Sequence, residues 1–155
     1  MTESLEGGCQ CGAIRYRVNG PPVTFYACHC TECQKQSASA FGLSLWVKRS
    51  DLEIVTGEPA YWERPADSGN TMRCAFCADC GSRLYHAASD DPKIYSVKGG
   101  SLDEISRFAP VGHIWVRSKQ PWVDLACLPG DLVFETEPSD FEAFKSRWKV
   151  VLESR

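Results

Sequence analysis

Cysteine is the residue type that could carry chemistry in this chain, because seven of its nine cysteines fall into three short groups. The groups are a C-x-C, a C-x-C-x-x-C and a C-x-x-C followed by glycine: Cys9-Gln10-Cys11, Cys28-His29-Cys30-Thr31-Glu32-Cys33 and Cys77-Ala78-Asp79-Cys80-Gly81. Thiolates at these spacings are typical ligands of zinc. The first six residues contain no apolar run, so we expect no secretory signal, a cytoplasmic location and reduced thiols. The groups therefore predict metal binding and not a disulfide framework.

The ligand count favours two zinc sites of different kinds. A structural zinc takes four ligands, and a C-x-x-C knuckle supplies two of them while the following glycine completes the turn. The knuckle and the C-x-C each lack two ligands, and together they make four. The C-x-C-x-x-C brings three thiols within six residues and leaves one position open, which is the form of a catalytic site. We predict two zinc ions per chain, one held by Cys9, Cys11, Cys77 and Cys80 and the other by Cys28, Cys30 and Cys33.

Other interpretations of the same residues stay open. A redox C-x-x-C is disfavoured because thioredoxin-like motifs sit in a βαβ pattern, which this sequence lacks. The three-thiol group could be closed by His29 or another residue, although alternate side chains of an extended C-x-C point apart and direct His29 away from the metal. Cys74 is close enough in sequence to Cys77 to compete for a ligand position. No chemistry is assigned to the remaining lone cysteines and histidines, Cys74, Cys127, His86 and His113.

An open zinc with three thiolate ligands has a distinctive reactivity. Its formal charge is −1, which makes it a poor activator of water but a good seat for an incoming soft thiolate. Zinc lowers the pKa of a bound thiol and keeps it ionised at neutral pH. The predicted chemistry is therefore a reaction at the sulfur of a thiol with a small electrophile.

The elements that must position these cysteines are mainly short strands. Apolar residues at every second position predict strands at 12–18 and 41–47. Further short strands, bounded by turn or polar residues, are predicted at 52–55, 61–63, 93–97 and 112–116. A short helix is expected around 32–39, directly after the central cysteine group. The sequence contains no repeat and no linker, so we predict one domain over 1–155.

A second helix is predicted at about 139–152. Apolar residues recur there at helical spacing, at Phe141, Phe144, Trp148 and Val151. Ser139 and Glu142 fit a capping box at its start. This apolar face is expected to pack on the sheet and to bind no ligand.

Composition excludes several classes of function. The formal net charge is −3, and 43% of the residues are hydrophobic, as in a folded globular protein. Nucleic-acid binding needs clustered Lys and Arg, and the sequence has no such stripe. No stretch has the roughly 18 apolar residues that span a bilayer. We therefore expect neither nucleic acid nor a membrane as a partner, whereas exposed sheet edges would allow a homodimer.

The order of the cysteine groups resembles the glutathione-dependent formaldehyde-activating enzymes and the wider CENP-V/GFA group. Further matches are Gly7-Gly8 before the first group, Gly100-Ser101-Leu102-Asp103, and His113-Ile114 followed by Ser118-Lys119 and Trp122. The likeness covers about 7–125. It implies a β-tent-like zinc-binding fold of short antiparallel sheets, here followed by the C-terminal helix. It also implies the same division into a structural zinc (Cys9, Cys11, Cys77, Cys80) and a catalytic zinc (Cys28, Cys30, Cys33).

The activity implied by this resemblance is that of a carbon–sulfur lyase. The namesake enzymes condense glutathione with formaldehyde to S-(hydroxymethyl)glutathione. Candidate partners for the carboxylates of glutathione are Lys35, Lys48 and Arg49, and Gln34 departs from the Arg-Lys that many relatives have after the cluster. Two alternatives remain, a lyase or transferase acting on another thiol or electrophile, and a non-enzymatic zinc-stabilised module that binds a protein or small ligand.

Overall fold

The computed structural model describes residues 3–66, 69–89 and 92–155. These residues form two compact units, one within 3–22 and 46–105 and the other of Val23–Leu45 with Ser106–Arg155. The strands are β1 Leu5–Gly8, β2 Arg15–Val18, β3 Thr24–Cys28, β4 Gly42–Lys48, β5 Leu52–Thr56, β6 Ala60–Pro65, β7 Thr71–Phe76, β8 Arg83–Ala88, β9 Ile94–Lys98, β10 Gly112–Ile114 and β11 Leu132–Val133. The helices are α1 Thr31–Ser37 and α2 Glu142–Glu153. The protein is mainly β, as predicted, whereas the single domain stays a prediction.

The first unit is built from two antiparallel arrangements. Strands β1, β2 and β5 form a three-stranded sheet, in which β2 pairs with both neighbours. Tyr16 and Val18 of β2 are buried while Arg15 and Arg17 are more exposed, which confirms the predicted alternation. Strands β6, β7, β8 and β9 pair in sequence order by antiparallel hairpins. These hairpins bring residues far from the N-terminus into one sheet.

The second unit centres on β3, all of whose residues are buried. Strand β10 pairs in parallel with both β3 and β11, so the predicted mainly β fold contains a parallel part beside its antiparallel sheets. Helix α2 packs on β3 through its buried aromatic residues. Trp148 meets Phe25 edge to face at 6.0 Å between ring centroids, and Phe144 meets Tyr26 in the same way at 5.6 Å.

Three element boundaries differ from the predicted ones, and two of the differences have a local backbone cause. Helix α1 ends at Ser37 because Ala38 adopts a left-handed conformation with φ 50°. Strand β10 ends at Ile114 because Trp115 is left-handed as well, with φ 58°. Helix α2 begins at Glu142 and not near 139.

The predicted capping box of α2 is wrong. The N-cap residue is Phe141, which makes no side-chain capping hydrogen bond, and the preceding Asp140 accepts a hydrogen bond at Oδ1 from the amide of Glu142 at 3.0 Å. The predicted apolar face is confirmed, since Phe144 and Trp148 are buried. No helix within the described residues is long and apolar enough to cross a bilayer.

Candidate metal centres

The first cysteine cluster lies in the first unit and brings together cysteines from both chain segments of that unit. The sulfur atoms of four cysteines lie within 4.8 Å of one another, those of Cys9, Cys11, Cys77 and Cys80. The Sγ of Cys11 lies 3.6 Å from that of Cys9 and 3.8 Å from that of Cys77. Tetrahedral zinc with bonds of about 2.3 Å separates its sulfur ligands by about 3.8 Å. Both the donor set and the spacing therefore fit a four-thiolate zinc.

Two tight turns present these thiols. In the N-terminal turn the amide of Ile14 donates to the Sγ of Cys9 at 3.2 Å, and Gly12 takes φ +82°. In the knuckle the amide of Gly81 donates to the carbonyl of Cys77 at 2.8 Å, and Gly81 takes φ +80°. Left-handed backbone is strained for residues with a Cβ. The glycine that follows the second cysteine of each turn is therefore part of its construction.

Ser82 links the two turns, and sequence reasoning missed it. Its Oγ accepts a hydrogen bond from the amide of Gln10 at 2.9 Å and lies 3.3 Å from the Sγ of Cys80. Hydrogen bonds from the side chain and backbone of Ser82 lower the pKa of Cys80 to about 5. The serine thus favours the thiolate form that a metal requires. A hydroxyl residue directly after C-x-x-C-G was the available sequence signal.

The second cluster lies in the second unit, where β3 passes into α1. The sulfur atoms of Cys28, Cys30 and Cys33 lie within 4.8 Å of one another. Cys28 is the last residue of β3, and Cys30 caps α1 by accepting the amide hydrogen of Cys33 at 3.3 Å. Hydrogen bonds from the other two thiols and from this amide hold the pKa of Cys30 well below its usual range. The donor set fits a zinc with three thiolate ligands.

His29 does not join the cysteines on either side of it. Its Nε2 lies 3.0 Å from the Nδ1 of His113, whose Nε2 lies 3.0 Å from the carbonyl oxygen of Pro129. A carbonyl oxygen can only accept a hydrogen bond, so a neutral His113 donates from Nε2 to Pro129 and carries no hydrogen at Nδ1. The Nδ1 of His113 is therefore an acceptor, and the Nε2 of His29 donates to it. Nδ1 of His29 is then a buried acceptor with no partner among the described residues. Burial lowers the pKa of both rings, that of His29 to about 4.

Comparison with known proteins bears on what these clusters are for. Residues 4–118 match the sequence profile of a family described as glutathione-dependent formaldehyde-activating enzyme. The chain belongs to this family. The resemblance predicted from the cysteine pattern is thereby confirmed, over nearly the predicted range.

Two individual proteins are similar to this chain, one in sequence and one in structure. A Halomonas elongata protein named "Putative glutathione-dependent formaldehyde-activating enzyme" is 26% identical over 141 residues, which cover 88% of this chain and 90% of that protein. A crystal structure of a Rhodobacter sphaeroides protein matches with a TM-score of 0.50 at 19% identity, covering 83% of this chain and 98% of that one. At this identity the second likeness concerns the fold alone.

Gln34, the residue directly after Cys33, has a structural role. Its side-chain amide donates to the carbonyls of His29 at 2.8 Å and Ser118 at 2.9 Å. Its Oε1 accepts from the side chain of Gln120 at 2.8 Å. The glutamine therefore ties the start of α1 to the segment after β10, and its amide is already used.

The candidate cations for glutathione are divided between the units. Lys35 lies on α1, two residues after Cys33, in the same unit as the three-thiol cluster. Lys48 ends β4 and Arg49 begins the next turn, and both belong to the first unit. Of the three, only Lys35 shares an element with a cluster cysteine.

An acidic side chain near the three-thiol cluster was also missed by sequence reasoning. Partial burial of its carboxyl, and then the negative charge of Cys30, raise the pKa of Glu137, although the residue as a whole is exposed. No spacing signal could have found it, because Glu137 follows Cys30 by more than a hundred residues.

The remaining cysteines and histidines lie outside the two clusters. Within the described residues, Cys74 is buried in β7 and Cys127 is exposed, and neither joins a group of metal-ligating atoms. Cys74 therefore does not compete with Cys77. The Nδ1 of His86 lies 2.7 Å from the Nζ of Lys98, as expected of a histidine with a structural partner.

Proposed function

We propose that this chain is a zinc-dependent carbon–sulfur lyase that condenses glutathione with formaldehyde or a related small electrophile. In the reaction the thiolate sulfur bonds to the carbonyl carbon, and the electron pair of the C=O π bond moves to oxygen. That oxygen takes up the proton that the thiol gave up, which yields S-(hydroxymethyl)glutathione. The observation that supports the proposal is the three-thiol cluster of Cys28, Cys30 and Cys33 in a member of this family.

The role proposed for these cysteines is to hold a catalytic zinc. A zinc ion there would supply a seat that keeps an incoming thiol ionised yet nucleophilic. The protein's part is rigidity, because Cys28 is fixed by β3 and Cys30 and Cys33 by the first turn of α1. His29 is engaged with His113 and so is not proposed as a ligand. Lys35 is the first candidate for a carboxylate of glutathione.

A separate, structural role is proposed for the other four cysteines. Zinc at Cys9, Cys11, Cys77 and Cys80 would tie together segments that lie 66 residues apart in the chain, counted from Cys11 to Cys77. Binding energy at such a site is folding energy. The proposal therefore includes two zinc ions per chain in one cytoplasmic domain. Loss of the zinc at the four-cysteine site should unfold the protein, whereas loss of the zinc at the three-cysteine site should leave the fold intact.

Metal analysis with three cysteine variants tests this division. We expect two zinc ions in the wild type, one in a folded Cys30→Ala, and loss of the fold in Cys80→Ala. Cys127→Ala removes an exposed cysteine outside both clusters and serves as the matched control, with both ions retained. A single zinc in the wild type, or unfolding of Cys30→Ala, would contradict the two-site proposal.

The catalytic step is tested by NMR exchange spectroscopy on a mixture of glutathione and formaldehyde. The two compounds combine without an enzyme, so the measured quantity is the acceleration of exchange over buffer. We expect acceleration by wild type and Cys127→Ala and none by the folded Cys30→Ala. Equal rates with and without wild-type protein would favour the non-enzymatic binding module, and acceleration with another thiol only would redirect the proposal to that thiol.

A further inference from the structure

One face of the strands β6 to β9 carries a pocket that contains no cluster cysteine. Alternate residues of a strand share a face. The register pairs Arg73 of β7 with Ala87 of β8 and Ala75 of β7 with Tyr85 of β8, while Tyr61 of β6 pairs with Ala75. The three large side chains of Tyr61, Arg73 and Tyr85 therefore lie side by side on one face.

The pocket has a volume of about 260 Å³. Its lining includes Arg49, Tyr61, Arg73, Tyr85, Ala87 and Tyr95. Ala87 is buried opposite Arg73, and its small side chain leaves the space that the larger residues enclose. Water takes about 30 Å³ per molecule in the liquid, so the volume suits a compact ligand and not an extended peptide.

Among the lining residues that the structure describes, the charged side chains are those of Arg49 and Arg73. No carboxylate is among its described lining residues, and no salt bridge within the part of the chain that the structure describes involves Arg49 or Arg73. Glu63 pairs with Arg73 in the strand register but forms none with it. The guanidinium of Arg73 lies over the ring of Tyr61, with its Cζ 3.7 Å from the ring centroid, a cation–π contact that helps to hold the arginine side chain in place.

The tyrosine hydroxyls add a hydrogen-bond donor. The oxygen atoms of Tyr61 and Tyr85 lie 2.8 Å apart, so one hydroxyl donates to the other and one hydrogen of the pair remains free. Burial and this hydrogen bond raise the pKa of Tyr85, so its hydroxyl stays protonated. Tyr95 stacks on Tyr85 at 4.7 Å between centroids and holds that ring in place. The described polar side chains that line the pocket therefore offer cations and O–H donors to a ligand.

We propose that this pocket binds a small organic oxyanion, with a carboxylate or phosphate group held between Arg49 and Arg73. Both groups match the fork of N–H donors on a guanidinium, and both accept from a tyrosine hydroxyl. The compact volume limits the rest of the ligand to a few carbon atoms. This site is additional to the proposed zinc chemistry and does not depend on it.

Isothermal titration calorimetry on the zinc-loaded full chain tests the proposal, with succinate and inorganic phosphate as separate probes. We expect binding of at least one probe, weakened about tenfold or more in Arg73→Gln and in Arg49→Gln, because each change removes charge-assisted hydrogen bonds. Arg73→Lys should lose part of the affinity, since it keeps the charge but not the planar fork. Binding of succinate alone assigns a carboxylate, and binding of phosphate alone assigns a phosphate.

Arg83→Gln is the matched control. Arg83 belongs to the same sheet but stacks towards Trp62 and does not line the pocket, so its loss should change the affinity by less than about twofold. Circular dichroism and zinc content of each variant check that the fold is kept. The proposal is overturned if neither probe binds at millimolar concentration, or if Arg83→Gln weakens binding as much as Arg73→Gln.

Discussion

Replacing His113 by phenylalanine tests the buried imidazole pair beside the three-thiol cluster. The ring of His113 is 1% exposed and that of His29 is fully buried. The change removes the hydrogen-bond partner of the Nε2–H of His29, and a buried donor left without a partner costs about 1–3 kcal/mol. It also removes the hydrogen bond to Pro129, an exposed residue whose carbonyl water can reach, worth about 0.5–1.5 kcal/mol. Together the expected loss of unfolding free energy is about 1.5–4.5 kcal/mol.

Urea unfolding of the zinc-loaded protein, followed by tryptophan fluorescence, measures this loss. A double-mutant cycle with His29→Phe isolates the interaction energy between the two imidazoles. The double variant leaves no imidazole without its partner, so its loss of unfolding free energy should be smaller than the sum of the losses in the single variants. His86→Phe is a control at a histidine that is only partly buried, for which we expect a smaller loss. A loss below about 0.5 kcal/mol for His113→Phe, or strict additivity in the cycle, would refute the hydrogen-bond assignment.

The other predictions concern one residue each. Gly81→Ala should cost about 1–2 kcal/mol of stability through the left-handed backbone alone, because a Cβ at this position meets no atom within 4 Å. The variant should lose zinc to a chelator faster than the wild type, and an unchanged rate of zinc loss would contradict this prediction. Phe144→Ala should cost about 3–5 kcal/mol, measured by thermal unfolding, because Phe144 is fully buried. Asp103→Asn should cost less than about 1 kcal/mol, since its partner Arg15 and the carboxylate are both partly exposed. Arg15 lowers the pKa of Asp103, so the ion pair stabilises the fold above the pKa that Asp103 has in the unfolded chain. This stabilisation is lost as the pH falls through the pKa of Asp103 in the folded protein. The unfolding free energies of wild type and Asp103→Asn should therefore converge in acid, and a difference that grows in acid would contradict the pairing.

Local patterns in the sequence predicted the cysteine clusters well. Ligand counting and the glycine after Cys80 grouped the same cysteines that the structure brings together, because the spacing within each turn is fixed by short-range backbone geometry. The alternation in β2 and the apolar face of α2 were equally local signals. Their role as zinc ligands, as distinct from their proximity, stays a prediction.

Features that depend on distant pairing were not predicted. Strand β3 is an apolar run without alternation, so no period marks it, and its parallel partner β10 follows it by more than eighty residues. The same pairing brings His113 to His29, which neither residue's neighbours indicate. The oxyanion pocket needs three strand registers at once. Such contacts are set by tertiary packing, which a single sequence does not display.

The separation of the ligands in the first cluster has a consequence for synthesis of the chain. Ribosomes add about 5–20 residues per second, so the 66 residues from Cys11 to Cys77 take roughly 3–13 s to make. Cys28, Cys30 and Cys33 are complete within about a second of one another at the same rate. If both clusters bind zinc as proposed, the thiols of the three-thiol cluster would be complete while Cys9 and Cys11 are still without their partners Cys77 and Cys80. The order of metal loading would then follow the order of translation, and the free thiols of Cys9 and Cys11 would need a reducing environment during those seconds.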